Sequence, residues 1–282
     1  MKTGLVLEGG AMRGLFSAGV FDVLMENGIT FDGLVGVSAG ACFGCNIKSR
    51  QIGRAVRYNM AIAKDWRYCS VRSLVSTGNL FNAEFAYHRV PSEFDLFDNE
   101  TFESNPMEYH LVTTDVFTGK AIYKKIDCGG DYLYEWIRAS SAMPAVSKVV
   151  EIDGLKMLDG GISDSIPLRY FQEQGYQRNL VILTQPAGFE KKPMQMMWLF
   201  RLMLRKYPVL ADALADRHIM YNEQLHYLET EKAKGDTYVI CPKEPLKIGR
   251  ISHDPKAMKE TYEEGRAMAI NQLQAIKDFI NK

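Results

Sequence analysis

The stretch Leu34-Val35-Gly36-Val37-Ser38-Ala39-Gly40-Ala41 decides how this chain is read. Its first half is a short apolar strand, Leu34 to Val37. A Gly-x-Ser-x-Gly turn follows at once, and Ala39 to Ile47 has the composition to open a helix. Such a turn holds a serine on a sharp bend between strand and helix, with its Oγ projecting into a cleft. The N–H of the next residue, Ala39, then faces the oxyanion that forms when a carbonyl is attacked. Gly36 and Gly40 flank the bend, where a Cβ would collide across it. The bland alternative is an incidental serine in a glycine-rich turn. The strand before it and the helix start after it favour the nucleophile.

The same grammar appears upstream. Leu5-Val6-Leu7 is a short buried strand, and Gly9-Gly10-Ala11-Met12-Arg13-Gly14 is a tight loop. Leu15, Phe16, Val20, Val23 and Leu24 then recur close to a 3.6 period, until Asn27-Gly28 stops the helix. Strand, glycine turn and helix, twice over, predict a parallel α/β sheet. Downstream, His110 to Thr114 is a strand with β-branched bias. Val149 to Ile152 and Leu155 to Leu158 form a hairpin around Asp153-Gly154, with both turn residues at positive φ. Val181 to Thr184 and Tyr238 to Ile240 are further strands. Tyr132 to Ala142 is a helix stopped before Pro144. From Met194 the pattern is mostly helical and closes on a helix over 258–281. The expectation is one α/β domain over 1–282, with a central, mostly parallel sheet flanked by helices. About 1–190 form its core and about 191–282 a mainly helical C-terminal part.

Composition narrows the function. Of 282 residues, 46% are hydrophobic and 24% charged, which is globular and excludes disorder. Thirty-four Lys and Arg balance thirty-four Asp and Glu, so no bulk field exists to hold nucleic acid. No secretory leader is read at the N-terminus, and no apolar run reaches the ~18 residues of a membrane span. Five cysteines, an odd count, point to free thiols in a reducing compartment. The expected location is the cytoplasm, with peripheral contact at the inner face of a membrane left open. Oligomeric state is not legible.

Two further motifs carry chemistry. The Gly9 to Gly14 loop sits at a helix N-terminus, where amides and the helix dipole suit a phosphate or an oxyanion. A dinucleotide fingerprint needs Gly where Ala11 stands, and a P-loop needs Lys-Ser/Thr where Leu15-Phe16 stands. Asp32, eighteen positions after Gly14, is near where a dinucleotide fold keeps its ribose acid. Nucleotide or dinucleotide binding therefore stays as the alternative. Asp159-Gly160-Gly161 ends a proposed strand; alone it reads as a turn, but it offers a carboxylate to the serine.

The loop, the serine turn and the distant Asp-Gly-Gly, in this order and spacing, resemble the patatin-like phospholipase family. So do the block Arg138-Ala139-Ser140-Ser141-Ala142-Met143-Pro144 and the tail from about Tyr207 to Gly265, including Arg217-His218-Ile219-Met220-Tyr221-Asn222. The resemblance implies an acyl hydrolase with Ser38 as nucleophile and Asp159 as proton acceptor. Gly160 and Gly161 support the aspartate. Amides of Gly9, Gly10, Ala11 and Gly14 join Ala39 around the oxyanion, and Arg13 braces the loop or meets a lipid head group. The implied substrate is a fatty acyl ester of a phospholipid or lysophospholipid, or a small ester, with neither metal nor cofactor. A catalytically silent lipid-binding member is the second alternative. The family loop generally has a third glycine where Ala11 stands, so positive φ there implies ~1 kcal/mol of strain. Ser165 replaces a frequent Asn.

An aspartate is an intrinsically weaker base than histidine, by roughly 3–4 kcal/mol. Burial of Asp159 and the oxyanion donors must make up the difference. His218, His226 and His253 follow Asp159 in order and are rival bases, unlike His88 and His110. Cys42-Phe43-Gly44-Cys45 lacks the second ligand pair zinc requires and reads as two apolar thiols on a buried helix. Residues 194–206, rich in Met and aromatics with Arg201, Arg205 and Lys206 at one end, read first as a core helix. Lipid or membrane contact is the alternative. Lys191-Lys192 reads as a solvated turn.

Overall fold

The computed structural model describes residues 1–281. Strand β1 (Lys2–Leu7) feeds the glycine loop and α1 (Gly14–Glu26), and β2 (Gly33–Val37) feeds α2 (Ala39–Lys48). Helices α3 (Arg54–Ile62) and α4 (Val71–Thr77), a π-helical stretch Glu84–Phe94 and α5 (Asn99–Ser104) lead to β3 (Glu108–Asp115). Next come β4 (Ala121–Lys125), α6 (Gly130–Ser140) and the hairpin of β5 (Val150–Ile152) and β6 (Leu155–Asp159). Helix α7 (Leu168–Glu173) precedes β7 (Tyr176–Ile182). The chain closes with α8 (Met197–Met203), α9 (Pro208–Lys234), β8 (Thr237–Ile240) and α10 (Pro255–Asn281).

All eight strands form one sheet in the order β5-β6-β3-β2-β1-β7-β8, with β4 added to β3. β3, β2, β1, β7 and β8 are parallel; β4, β5 and β6 pair antiparallel. β1 is central because Leu5, Val6 and Leu7 are apolar on both faces and wholly buried. Period-two alternation splits them: Leu5 and Leu7 join the core of α1 and α2, while Val6 joins Leu168, Phe171 and Tyr221 on the other face. The mostly parallel α/β reading is the observed fold. Strand order reverses around β1, and that is where such sheets open a crevice at their carboxyl ends.

Helix α1 is buried on every side over Gly14–Leu24, pressed between the sheet and α10. Its crossing with α10 is backbone on backbone: a Cβ on Gly19 would overlap the Tyr262 carbonyl, and one on Gly265 the Phe16 carbonyl.

The hairpin turn has φ 53° at Asp153 and 76° at Gly154, as its sequence required. The strand read at Val181 instead starts at Tyr176 and ends at Ile182. The core-helix reading of 194–206 is wrong. None of the α8 residues is buried, and Trp198 and Leu202 are 67% and 59% exposed. α8 lies at the rim: Met194, Met197 and Phe200 touch the core while half-buried, and Leu204, just beyond, is the residue of this stretch that is buried. Among the described residues, no helix is long and apolar enough to cross a membrane. Residues 207–281 also do not stand apart from the core, because β8 pairs with β7 and α10 covers α1.

Candidate active site

Ser38 is the hinge of the βα turn, with φ 54° and ψ −121°, a conformation an L-residue adopts only when its surroundings force it. Those surroundings are visible. Gly40 lies so close to the Leu7 carbonyl that no Cβ fits, and Gly36 packs on the Ala41 amide. The Ser38 N–H donates to Ser140 Oγ at 2.9 Å, and that hydroxyl donates to the Val112 carbonyl at 2.7 Å. Ser140 is wholly buried on α6, so it pins the elbow to β3.

Asp159 ends β6, in register with Thr113 of β3. It is 6% exposed, and its Oδ1 accepts from the Gly161 N–H at 2.8 Å. Its carboxyl and Ser38 line the same chamber, and Ser38 favours its ionised form. Burial pushes its pKa above the ordinary 3.8; the opposing pull comes first from Arg217, then from Ser38 and the Gly161 amide. Arg217, on α9, donates through Nε to the Gly161 carbonyl.

The glycine loop curls beside them. Ala11 has φ 51°, so the strain expected of a non-glycine residue there is present. Among the described residues, the N–H groups of Gly10, Ala11 and Ala39 meet no protein acceptor. Beneath the loop, buried Glu8 accepts from the Thr184 N–H at 2.6 Å and the Tyr221 hydroxyl at 2.7 Å. Thr184 Oγ1 lies 2.9 Å from the Gly9 carbonyl. The loop is thus fastened to β7 and α9. Arg13 turns its Nε toward the Gly10 carbonyl at 3.5 Å and so braces the loop. Gly14 packs under Ala39, and Gly160 under Val112.

Ser38 lies between two chambers. The larger, about 280 Å³, also holds Asp159, Arg13, Lys191, Arg217 and Arg250. The smaller, about 60 Å³, is apolar and lined by Phe43, Tyr58, Tyr68, Phe81 and Tyr87. Ala11, Ser38 and Met143 are common to both. None of the five histidines lines either chamber. His253 instead donates to the Ala63 carbonyl at 2.8 Å, and His218 to Ala215 at 2.9 Å. Asp32 binds the Thr3 N–H at 2.6 Å at the amino end of β2, a strand's length from the loop, where it can touch nothing bound there. Cys42 and Cys45 are free, and burial raises both thiols. Lys191 corrects the solvated-turn reading: its Nζ sits 4.0 Å over the Tyr221 ring, inside the chamber wall.

Sequence reasoning left Glu8, Ser140, Lys191, Arg217 and Arg250 without roles at the site. Glu8 had one signal, an acid closing an apolar strand. The cations had none beyond two of them lying in the 207–265 tail.

Fold and site together define an α/β protein with a serine elbow facing a buried carboxyl. The family model described as patatin-like phospholipase matches residues 5–171, and a second, described only as a domain of unknown function, matches 207–281. The chain belongs to the patatin-like phospholipase family. It is 28% identical over 287 residues to the uncharacterised protein YjjU of Escherichia coli, covering 94% of this chain and 75% of that one. It is 27% identical to an uncharacterised NTE family protein of Mycobacterium tuberculosis (78% of this chain, 60% of that one). It is 28% identical to the lysophospholipase nte1 of Emericella nidulans, over 61% of this chain and 11% of that one. Among solved structures, VipD of Legionella pneumophila aligns with a TM-score of 0.46 at 10% identity, over 97% of this chain and 67% of that one.

Proposed function

We propose that this protein hydrolyses fatty acyl esters of phospholipids or lysophospholipids through a Ser38–Asp159 dyad. The observation that carries the reading is the strained Ser38, sharing a chamber with a buried carboxyl, where a larger chamber holding four cations meets a smaller apolar one. The fungal relative's name, lysophospholipase, points the same way.

The acyl chain enters the aromatic slot, and the alcohol portion stays in the larger chamber. Asp159 takes the Ser38 proton as Oγ attacks the carbonyl. The free amides of Gly10, Ala11 and Ala39 donate to the oxyanion; one such donor is typically worth ~3 kcal/mol. Collapse expels the alkoxide, which recovers the proton from Asp159. Water, deprotonated in turn by Asp159, opens the acyl-serine and releases the acid. Exposed Trp198 and Leu202 on α8, beside Arg205 and Lys206, are read as a peripheral membrane contact at the chamber's rim.

The test is labelling by a fluorophosphonate. Wild type is expected to react at Ser38 and Ser38→Ala not at all, while Asp159→Asn loses hydrolysis of lipid and short-chain esters by at least about a hundredfold. Folded wild-type protein that neither labels nor hydrolyses any ester is a silent lipid binder instead.

A further inference from the structure

The larger chamber faces six ionisable side chains: Glu8, Arg13, Asp159, Lys191, Arg217 and Arg250. Four are cations and two are carboxylates; Asp159 offsets Arg217 and Glu8 offsets Arg13 in part, which leaves the cluster with positive charge in excess. Glu8 is occupied by Thr184 and Tyr221, and Asp159 by the Gly161 amide. Among the described residues, none of the four cations forms an ion pair. Lys191 rests on an aromatic face in place of a carboxylate. Burial and the neighbouring Arg217 bring Lys191 down to about 8, and burial also lowers Arg13 and Arg217. Arg250 is exposed and Lys191 and Arg217 are half-buried, and like charges crowded this closely repel unless an anion joins them. Arg13 belongs to the glycine loop. The other three come from three separate segments: the turn before α8, helix α9 and the loop before α10. All three lie beyond residues 5–171, which the patatin-like model matches.

We propose that Lys191, Arg217 and Arg250 form an anion subsite for the substrate's head group. It selects acyl esters bearing a phosphate monoester over their choline-capped or neutral counterparts. The inference rests on the ester-hydrolase reading above. Its geometry follows from the two chambers: with the acyl chain in the aromatic slot and its carbonyl at Ser38, whatever the alcohol carries projects among these cations. A quaternary ammonium is favoured by open aromatic faces and repelled by positive charge. Here the Tyr221 face is covered by the Lys191 ammonium. A phosphate monoester has the charge and the acceptor oxygens to take donors from an ammonium and two guanidinium groups at once.

The measurement is a ratio of kcat/KM for octanoyl glycerol phosphate to octanoyl glycerol, with octanoyl glycerophosphocholine as third substrate, on wild type, K191Q and R250Q. Melting curves confirm that the variants fold. The wild-type ratio is expected to exceed tenfold and to fall with added salt. Each variant is expected to lower it about tenfold, through KM. A ratio near one, or one unmoved in both variants, overturns the proposal. A second arm needs no turnover: calorimetric titration of S38A with octyl phosphate and with inorganic phosphate. Octyl phosphate binding at least tenfold tighter, and weakened by adding K191Q, supports the head-group site. Equal affinity for the two assigns the cluster to free phosphate and overturns the head-group role, as does binding of neither. If wild type hydrolyses no ester while S38A binds octyl phosphate as described, the subsite stands and the hydrolase reading fails.

Discussion

Ser38 holds a backbone conformation that stores strain, and the same geometry presents its hydroxyl. Such strain costs of order 1–3 kcal/mol, more than the ~0.5–1 kcal/mol of backbone entropy a glycine forfeits on folding. Ser38→Gly is therefore expected to be more stable than Ser38→Ala by about 1 kcal/mol, read from their denaturant midpoints, with neither hydrolysing ester. Asp159 gives the second residue-scale prediction. In the proposed dyad its carboxyl must be ionised to accept a proton, and burial lifts its pKa above 3.8, so activity is expected to be lost as pH falls through that raised value. Arg217 opposes the lift. Removing its charge disfavours the carboxylate, so Arg217→Met is expected to move the acid limb of kcat/KM for a neutral ester to higher pH. Arg217→Lys moves it less. An unmoved limb would show that another group titrates there. Ser38 was legible because a nucleophile elbow imposes a fixed local spacing. Asp159 gained its meaning from order along the chain. Arg217 could not be found that way: it meets Asp159 through packing between α9 and the end of β6, and no periodicity encodes such a meeting.

At the scale of elements, the α1–α10 crossing depends on two missing side chains. Gly265→Ala drives a methyl into the Phe16 carbonyl, and the obstacle is backbone, which cannot rotate away. A loss of about 2–3 kcal/mol in unfolding free energy is expected, in line with overpacking of a rigid interior. A loss under 0.5 kcal/mol would mean the helices separate freely. The α/β alternation over the first fifty residues was legible because each strand was apolar and each helix followed a glycine-containing turn. Residues 50–107 were not: their helices are short, and one stretch is π-helical with Pro91 inside it, so no 3.6-residue repeat runs long enough to register. Residues 194–206 misled for another reason. Apolar content signals burial only where another layer exists to pack on, and α8 sits where the layers end.

For the whole molecule, family boundaries and physical boundaries differ. Separate models match 5–171 and 207–281, yet the second segment supplies Tyr221 beneath the glycine loop, Arg217 beside Asp159, and the helix that covers α1. We propose that the chain unfolds as one unit: a single calorimetric transition is expected, with matching van't Hoff and calorimetric enthalpies, and a fragment ending at residue 190 is expected not to fold. Two resolved transitions would contradict this. Among the described residues the two chambers share Ala11, Ser38 and Met143, which bears on the order of events in the proposed hydrolysis. In that reading the two products begin their departures from different chambers. The polar fragment can diffuse away while the fatty portion is still tethered, so water arrives from the vacated side. Free fatty acid, the last to leave, should then be the stronger product inhibitor.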